Sequence, residues 1–289
     1  MTAALDDPAS RSWAYLSRVA EPPCAELVAL VQCVGPVEAA ERVRRGVVDD
    51  DLLRHTEARR EIDRAADDLE LLARRGGRLI TPDDDEWPML AFAAFGGVGA
   101  RPRGGPPMVL WALGPARLDD AAQRAAALVG TRAASAYGEH VAADLASGLV
   151  ERDVAVVSGG AYGIDGAAHR AALACDGITV AVLAGGLDIP YPAGHSALLH
   201  RVAQHGLLFT EYPPNGRQRH RSEGIFGVRV SPPVIVYSSE MARRKQPGPR
   251  GRRPPGGAAP GAYSCPWSWM AARARAGRRR SWPTGPRRR

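Results

Sequence analysis

Three small-residue turns are the features of this sequence whose residue types and spacing best fit a chemical task. Each directly follows a short apolar run: Gly130-Thr131-Arg132, Ser158-Gly159-Gly160 and Gly185-Gly186. Glycine lets the backbone approach a ligand closely, and the amide groups at the start of a helix attract anions. Arg132 adds a planar guanidinium that suits phosphate oxygens. Together the turns predict a site for a phosphate or phosphodiester.

The elements that must position these turns are apolar strands alternating with amphipathic helices over residues 125–212. The predicted strands are Ala126–Val129, Val154–Val157, Ile178–Leu183 and Leu207–Phe209, and the predicted helices are Tyr137–Leu149, Ile164–Cys175 and Ser196–His205. Strands of this kind predict an α/β fold with a Rossmann-like, doubly wound parallel sheet. The turns then lie at one edge, beyond the carboxyl ends of the strands, where such folds bind ligands at a topological switch point.

Other chemistries find little support in the sequence. GxGxxG is absent after the first strand and GxxxxGK[ST] is absent throughout, which argues against a nicotinamide cofactor or a phosphate-cleaving ATPase. Asp165 and His169, at i and i+4, could pair, but a helix-capping Asp165 and a packed His169 is the favoured interpretation. Ser158 has no identifiable base. Histidines and cysteines lack metal-ligand spacing, so we predict no metal, no cofactor and no catalytic residue.

The flanking segments differ from the sheet region. Residues 1–77 are predicted to form a small helical domain, because apolar residues recur at helical spacing. Two such runs end at glycine: Leu27 to Val34 before Gly35-Pro36, and Ile62 to Leu72 before Gly76-Gly77. Residues 78–221 are predicted to be the sheet domain and residues 222–289 a separate tail.

The charge is divided between body and tail. The formal net charge is +7, yet residues 241–289 hold 14 basic and no acidic side chains, which leaves 24 basic against 31 acidic elsewhere. The same 49 residues contain no Ile, Leu or Val, so we expect a disordered tail. Its arginines and tryptophans could hold nucleic acid, although non-native translation of a GC-rich frame is the favoured explanation. No apolar stretch is long enough to span a membrane, and no secretory signal is visible, so we expect a cytoplasmic protein.

The motifs in order resemble the DNA-processing protein A family (DprA/Smf). The resemblance covers roughly residues 10–221 and depends on the runs Val129–Arg132 with Tyr137-Gly138, Ser158–Asp165 with Ala168-His169, Gly185–Asp188, Tyr191-Pro192 and Glu211–Pro213. It implies a protein that binds single-stranded DNA, protects incoming strands during natural transformation, helps to load the recombinase RecA, forms a homodimer and is not an enzyme.

The resemblance also implies site residues. Arg132 would contact a DNA phosphate, Gly130 and Thr131 would contribute backbone, and Gly185 would belong to the same edge. The turn Ser158, Gly159 and Gly160 would line the same pocket, with Arg219 and Arg221 supplying a basic stretch.

The similarity stops after Arg221. The family continues into a Phe-Pro-x-Arg-Asn-Arg motif that is absent from this chain. A shifted reading frame near position 222, or a gene remnant, is the simplest hypothesis, and it predicts weak DNA binding and poor stability. Two alternatives remain: a nucleotide-handling enzyme of the phosphoribohydrolase type on a related sheet, although its PGGxGTxxE turn is absent, and a non-functional remnant.

Overall fold

The computed structural model describes residues 7–93 and 107–216, which belong to one compact unit. The predictions for Arg219, Arg221 and the tail of residues 222–289 lie outside the described residues. The domain boundaries after residues 77 and 221 stay predictions.

A six-stranded sheet forms the centre of the described chain. Its strands are β1 (Gly77–Ile80), β2 (Leu110–Leu113), β3 (Ala125–Ala127), β4 (Ala155–Gly159), β5 (Thr179–Val182) and β6 (Leu207–Thr210). They lie in the order β1-β2-β6-β5-β4-β3. Strands β3 to β6 are parallel, whereas β2 pairs antiparallel with β6 and β1 antiparallel with β2. The Rossmann-like α/β fold predicted from the apolar runs is confirmed.

Nine α-helices surround the sheet within the described ranges. They are α1 (Pro8–Val19), α2 (Ala25–Arg45), α3 (Asp50–Thr56), α4 (Ala65–Arg74), α5 (Met89–Ala93), α6 (Leu118–Gln123), α7 (Ala136–Val150), α8 (Ile164–Ala174) and α9 (Ser196–His205), with a 3₁₀ turn at Ala193–His195. Helices α7, α8 and α9 connect the four parallel strands in turn. None of the helices in these ranges is long and apolar enough to cross a membrane.

The winding of the parallel strands places their carboxyl ends side by side. The chain crosses from β2 to β3 at the far edge and then returns strand by strand to β6, beside β2. The four parallel strands described therefore contain no reversal of strand order, which is the feature that opens a crevice in many doubly wound sheets. The carboxyl ends of these four described strands therefore form a continuous edge.

The helical segment packs onto one face of the sheet. Tyr15, Leu27 and Leu69 of α1, α2 and α4 share a core with Trp111 of β2. The indole N–H of Trp111 also donates to the hydroxyl of Ser17 in α1, at 3.2 Å. Burial of aromatic and aliphatic side chains of this size stabilises the contact by several kcal/mol, roughly 1.5–3 kcal/mol per large side chain. The helices therefore form an added layer of the same unit.

Two details of helix patterning differ from the sequence predictions. Helix α2 is interrupted at Gly35, with φ 78°, as predicted, but resumes at Pro36 and continues to Arg45. Ile62 lies before α4 and is 47% exposed, so it does not extend that helix.

The buried face of α7 is lined by small residues. Its buried residues are Gly138, Ala142 and Ala146, and the half-buried Leu145 and Leu149 pack against the same core. Small side chains let α7 lie close to α8, and the larger ones cover the rim of the contact. Residue spacing indicates this side of the helix, and the approach of α8 decides which of its residues are buried most deeply.

Candidate functional site

The first two turns are interlocked at the carboxyl edge of the sheet. Gly163, with φ 74°, precedes α8 and lies against the backbone of the first turn. A Cβ added there would overlap the Thr131 carbonyl oxygen and lie 2.8 Å from that of Arg132. The Ile164 N–H at the start of α8 donates to the Thr131 carbonyl at 3.3 Å. The turn that carries Arg132 is therefore positioned by the beginning of α8.

Asp165 occupies the place where the sequence predicted a bound anion. Its side chain is buried in the first turn of α8 and accepts the Ala161 N–H at 3.3 Å. Burial raises the pKa of the Asp165 carboxyl, and hydrogen bonds from the amides of Ala161 and Gly130 oppose that rise. A carboxylate from the protein itself thus uses the favourable end of the α8 dipole. The turn amides of Ala161 and Gly130 are therefore engaged by the protein's own carboxyl group.

Ser158 and Gly159 are buried beneath the turns. The Ser158 hydroxyl donates to the Leu128 carbonyl at 2.5 Å and thereby joins the ends of β3 and β4. A Cβ at Gly159 would lie 2.7 Å from an oxygen of Asp165. These two residues therefore support the turn from below, and only Gly160 of this predicted set is partly exposed.

His169 does not pair with Asp165. Its Nε2 lies 2.9 Å from the Gly159 carbonyl, and its Nδ1 lies 2.7 Å from the Thr179 hydroxyl. Because a carbonyl only accepts, Nε2 carries the proton, and Nδ1 lies against the Thr179 hydroxyl, which also contacts the Val156 carbonyl at 2.9 Å. Complete burial lowers the pKa of His169 to about 4. The ring is therefore neutral at pH 7 and braces β4 and β5, as the packing interpretation expected.

The third turn is held by the chain that follows β6. The Gly186 N–H donates to the Gly216 carbonyl at 2.9 Å, and the Asn215 N–H donates to the Asp188 carboxylate at 2.8 Å. Gly185 lies beside Gly216, with its Cβ position 3.4 Å from that carbonyl oxygen. The segment that leads toward residue 217 thus begins at the same edge of the sheet.

The structure brings all three turns to one edge. Gly160 of the second turn lies next to the loop after the third, since its Cβ position is 3.1 Å from the Tyr191 carbonyl oxygen. The His195 imidazole Nδ1 is also 3.1 Å from the Gly160 carbonyl, which it contacts as a donor. Arg132 is exposed at this edge and interacts electrostatically with Asp165.

Arg170 is a cation at this edge that sequence patterns missed. It lies in the second turn of α8 and is exposed, and its Nη1 is 3.0 Å from the Cβ position of Gly166 in the first turn. Helical side chains point toward the helix N-terminus, so the guanidinium lies nearer the edge than its Cα does. Applied to the predicted helix, this direction of helical side chains could have identified Arg170 from the sequence. In the described ranges, no group of three or more His, Cys, Asp or Glu side chains could hold a metal ion.

Comparison with known proteins places this geometry among DNA-processing proteins. The family model of DNA recombination-mediator protein A matches residues 78–223. A DprA-type DNA-processing protein of Mycobacterium tuberculosis is 81% identical over 218 residues, which cover 74% of this chain and 56% of the relative. The DNA processing protein DprA of Bacillus subtilis is 38% identical over 109 residues, covering 38% of this chain and 36% of its own length. The chain thus spans about half the length of the M. tuberculosis relative.

A solved structure supports the same fold. The X-ray structure of DNA processing protein A from Streptococcus pneumoniae aligns with a TM-score of 0.50 and 22% identity. The alignment covers 76% of this chain and 69% of that one.

Proposed function

Because the chain belongs to the DNA recombination-mediator protein A family, which its match over residues 78–223 shows, we propose that it binds single-stranded DNA without breaking a bond. The strand lies along the carboxyl edge of the sheet. The observation that carries this proposal is the exposed guanidinium of Arg132 on a turn locked in place by Gly163 and Ile164. A turn held in this way presents its guanidinium to a phosphate with little further loss of backbone freedom.

The residues at the edge have different tasks in this proposal. Arg132 and Arg170 contact phosphates, while Gly130, Thr131, Gly160 and Gly185 let the strand approach the backbone. Ser158 and Gly159 act from beneath by holding the turn in shape, since both are buried. Arg219 and Arg221 stay predictions of the sequence as additional phosphate contacts.

The net charge of the sheet region indicates that DNA binding depends on where individual arginines lie rather than on a positive field over the whole surface. Residues 125–212 carry 8 acidic and 4 basic side chains, so this region does not attract DNA as a whole. Binding then depends on the few guanidinium groups that reach the edge. Each phosphate that they contact adds a measurable amount to the dependence of affinity on salt. We therefore expect modest affinity with a salt dependence that reports a small number of contacts.

The test is a titration of single-stranded DNA with the full chain at several salt concentrations. Arg132→Ala should weaken binding and reduce the slope of log K against log salt by roughly 0.7, the value for one phosphate of a single strand. Arg152→Ala is the matched control, because it removes the same charge from an exposed position before β4, at the opposite edge. The basic tail contributes equally to both variants. Equal affinities and slopes for the two variants would remove Arg132 from the site.

The biological role proposed for this binding follows the family resemblance. We propose that the bound strand is incoming DNA in natural transformation, that RecA is the recombinase loaded onto it, and that the protein works in the cytoplasm as a homodimer. The absence of the Phe-Pro-x-Arg-Asn-Arg motif predicts weaker binding than in a relative that has it. RecA filament formation on DNA coated with this protein, compared with bare DNA, tests the recombinase; sedimentation of the free protein tests the dimer.

A further inference from the structure

Three tyrosines follow the three turns at the same edge of the sheet. Tyr137 follows the first turn, Tyr162 the second and Tyr191 the third. They are 66%, 44% and 73% exposed, whereas Tyr15, in the helical layer, is fully buried. Each carries a large apolar ring that folding leaves in water, which is a marker of binding when several such rings occur together.

The ring of Tyr162 is held in one orientation. It packs edge-on against the imidazole of His195, with centroids 4.6 Å apart and planes at 68°. Its hydroxyl lies against Gly194, where an added Cβ would overlap it. His195 is in turn bonded to the Gly160 carbonyl at 3.1 Å. One edge of the ring is therefore anchored to the 3₁₀ turn at Ala193–His195, and through His195 to the second turn, while the residue stays nearly half exposed.

The other two tyrosines are placed around the same point by their backbones. The carbonyl oxygen of Tyr191 lies 3.1 Å from the Cβ position of Gly160. Tyr137 precedes Gly138, whose Cβ position is 3.6 Å from the side chain of Ile164 at the start of α8. All three tyrosines thus border the end of α8 at which Arg132 is positioned.

From this arrangement we infer that Tyr137, Tyr162 and Tyr191 form a stacking surface for the unpaired bases of the strand whose phosphates Arg132 contacts. The inference rests on the proposed function and extends it from the phosphates to the bases. Aromatic faces beside a cation suit a single strand, which presents a flat base next to every phosphate. The occupant is nucleic acid, because Tyr162 directly precedes Gly163, whose backbone lies against the turn that carries Arg132.

Stacking makes two predictions about the ligand. A single strand should bind more tightly than a duplex of the same sequence, since paired bases are not free to stack on the rings. Sequence should matter little, because every base has a π-face.

The experiment compares the full chain on three labelled ligands by fluorescence anisotropy. They are an oligothymidylate of about 12 nucleotides, within the site sizes typical of single-strand binding domains, an abasic strand of the same length, and a duplex. The oligothymidylate should bind the most tightly. Tyr137→Leu and Tyr191→Leu should each weaken its binding about 5- to 150-fold per base unstacked, leave the abasic strand unaffected, and be restored by Tyr→Phe. Ile178→Ala, an exposed apolar position just before β5 at the opposite edge, is the control.

The outcomes separate this inference from the function it rests on. Equal binding of the oligothymidylate and the abasic strand, both weakened by Arg132→Ala, would overturn the stacking surface and leave phosphate binding in place. No binding of any ligand would overturn both. Normal DNA binding by the leucine variants together with a change in self-association would show that the rings contact a second copy of the chain instead. The wild-type comparison shows whether bases contribute at all. The two tyrosine variants, each measured beside Ile178→Ala, then assign that contribution to these rings rather than to the tryptophans of residues 222–289.

Discussion

Replacing Gly163 by alanine tests whether the second turn really positions the first. Gly163 has φ 74° and ψ −124°, a conformation that alanine adopts only with strain. The added methyl would also overlap the carbonyl of Thr131 and come within 2.8 Å of that of Arg132. Both obstacles are backbone atoms, which do not rotate away as the end of a side chain would.

The expected loss of stability is the sum of these two effects. Backbone strain of this kind is worth about 1–3 kcal/mol, and forcing an extra carbon into a filled site about 1–3 kcal/mol more. We therefore expect Gly163→Ala to lower the free energy of unfolding by about 2–6 kcal/mol, a large share of the 5–15 kcal/mol that is usual for a folded domain. Since the Arg132 turn must shift, DNA affinity of the remaining folded protein should fall as well.

Urea denaturation followed by far-UV circular dichroism measures the effect. Gly148→Ala in α7 is the matched control, because its Cβ position meets only the flexible end of Arg152, at 3.5 Å. In a helix this change should stabilise the protein by about 0.5–1 kcal/mol. The same substitution is therefore expected to have opposite signs at two sites. A loss below about 1 kcal/mol for Gly163→Ala would refute the interlocked turns.

Three further outcomes test the network beneath the edge. The free energy of unfolding should fall as the pH drops from about 6.5 toward about 4, because His169 takes up a proton in the unfolded chain while the buried ring, with its pKa lowered to about 4, does not. The complete loss is about 3 kcal/mol, and urea denaturation at pH 7 and pH 5 should show part of it. His169→Gln should weaken this dependence of stability on pH. Arg18→Ala should destabilise the protein by about 3–5 kcal/mol, since it removes the guanidinium that binds the buried Asp68 carboxylate through two hydrogen bonds of 2.7 and 2.8 Å. Adding Asp68→Asn should recover part of the lost stability, and no recovery would contradict the pairing. Ser158→Ala should destabilise by about 1–3 kcal/mol through the lost bond to the Leu128 carbonyl, and should raise the Kd for single-stranded DNA less than Arg132→Ala does, because the hydroxyl supports the turn and does not touch the strand. An equal rise in Kd with unchanged stability would place the hydroxyl on the ligand instead.

The strands and turns followed from local pattern because their signals are local. The run before Gly185 predicted a strand at Ile178–Leu183, and the structure has one at Thr179–Val182. Apolar runs of this length bury both faces whatever their neighbours are. The break of α2 at Gly35-Pro36 was also visible, since proline cannot continue the backbone hydrogen bonds of a helix.

The depth of burial along a helix face was less predictable than the position of the helix. On α7 the apolar pattern indicates the side of Leu145 and Leu149, and the structure buries Ala142 and Ala146 of that side most completely. Hydrophobicity ranks side chains by size, whereas close helix packing favours small ones. Only the approach of α8 decides between them.

The sequence by itself determined that glycine turns and Arg132 would come together at one edge of a parallel sheet, because strand direction and strand ends are properties of the chain's own pattern. Tertiary structure alone decided which partners the polar groups of that edge bind. It directed Asp165 to the amides once expected to hold an anion, and it turned Tyr162 edge-on to His195. Such pairings join residues whose contact depends on the final packing of several elements, so no spacing rule along the chain contains them.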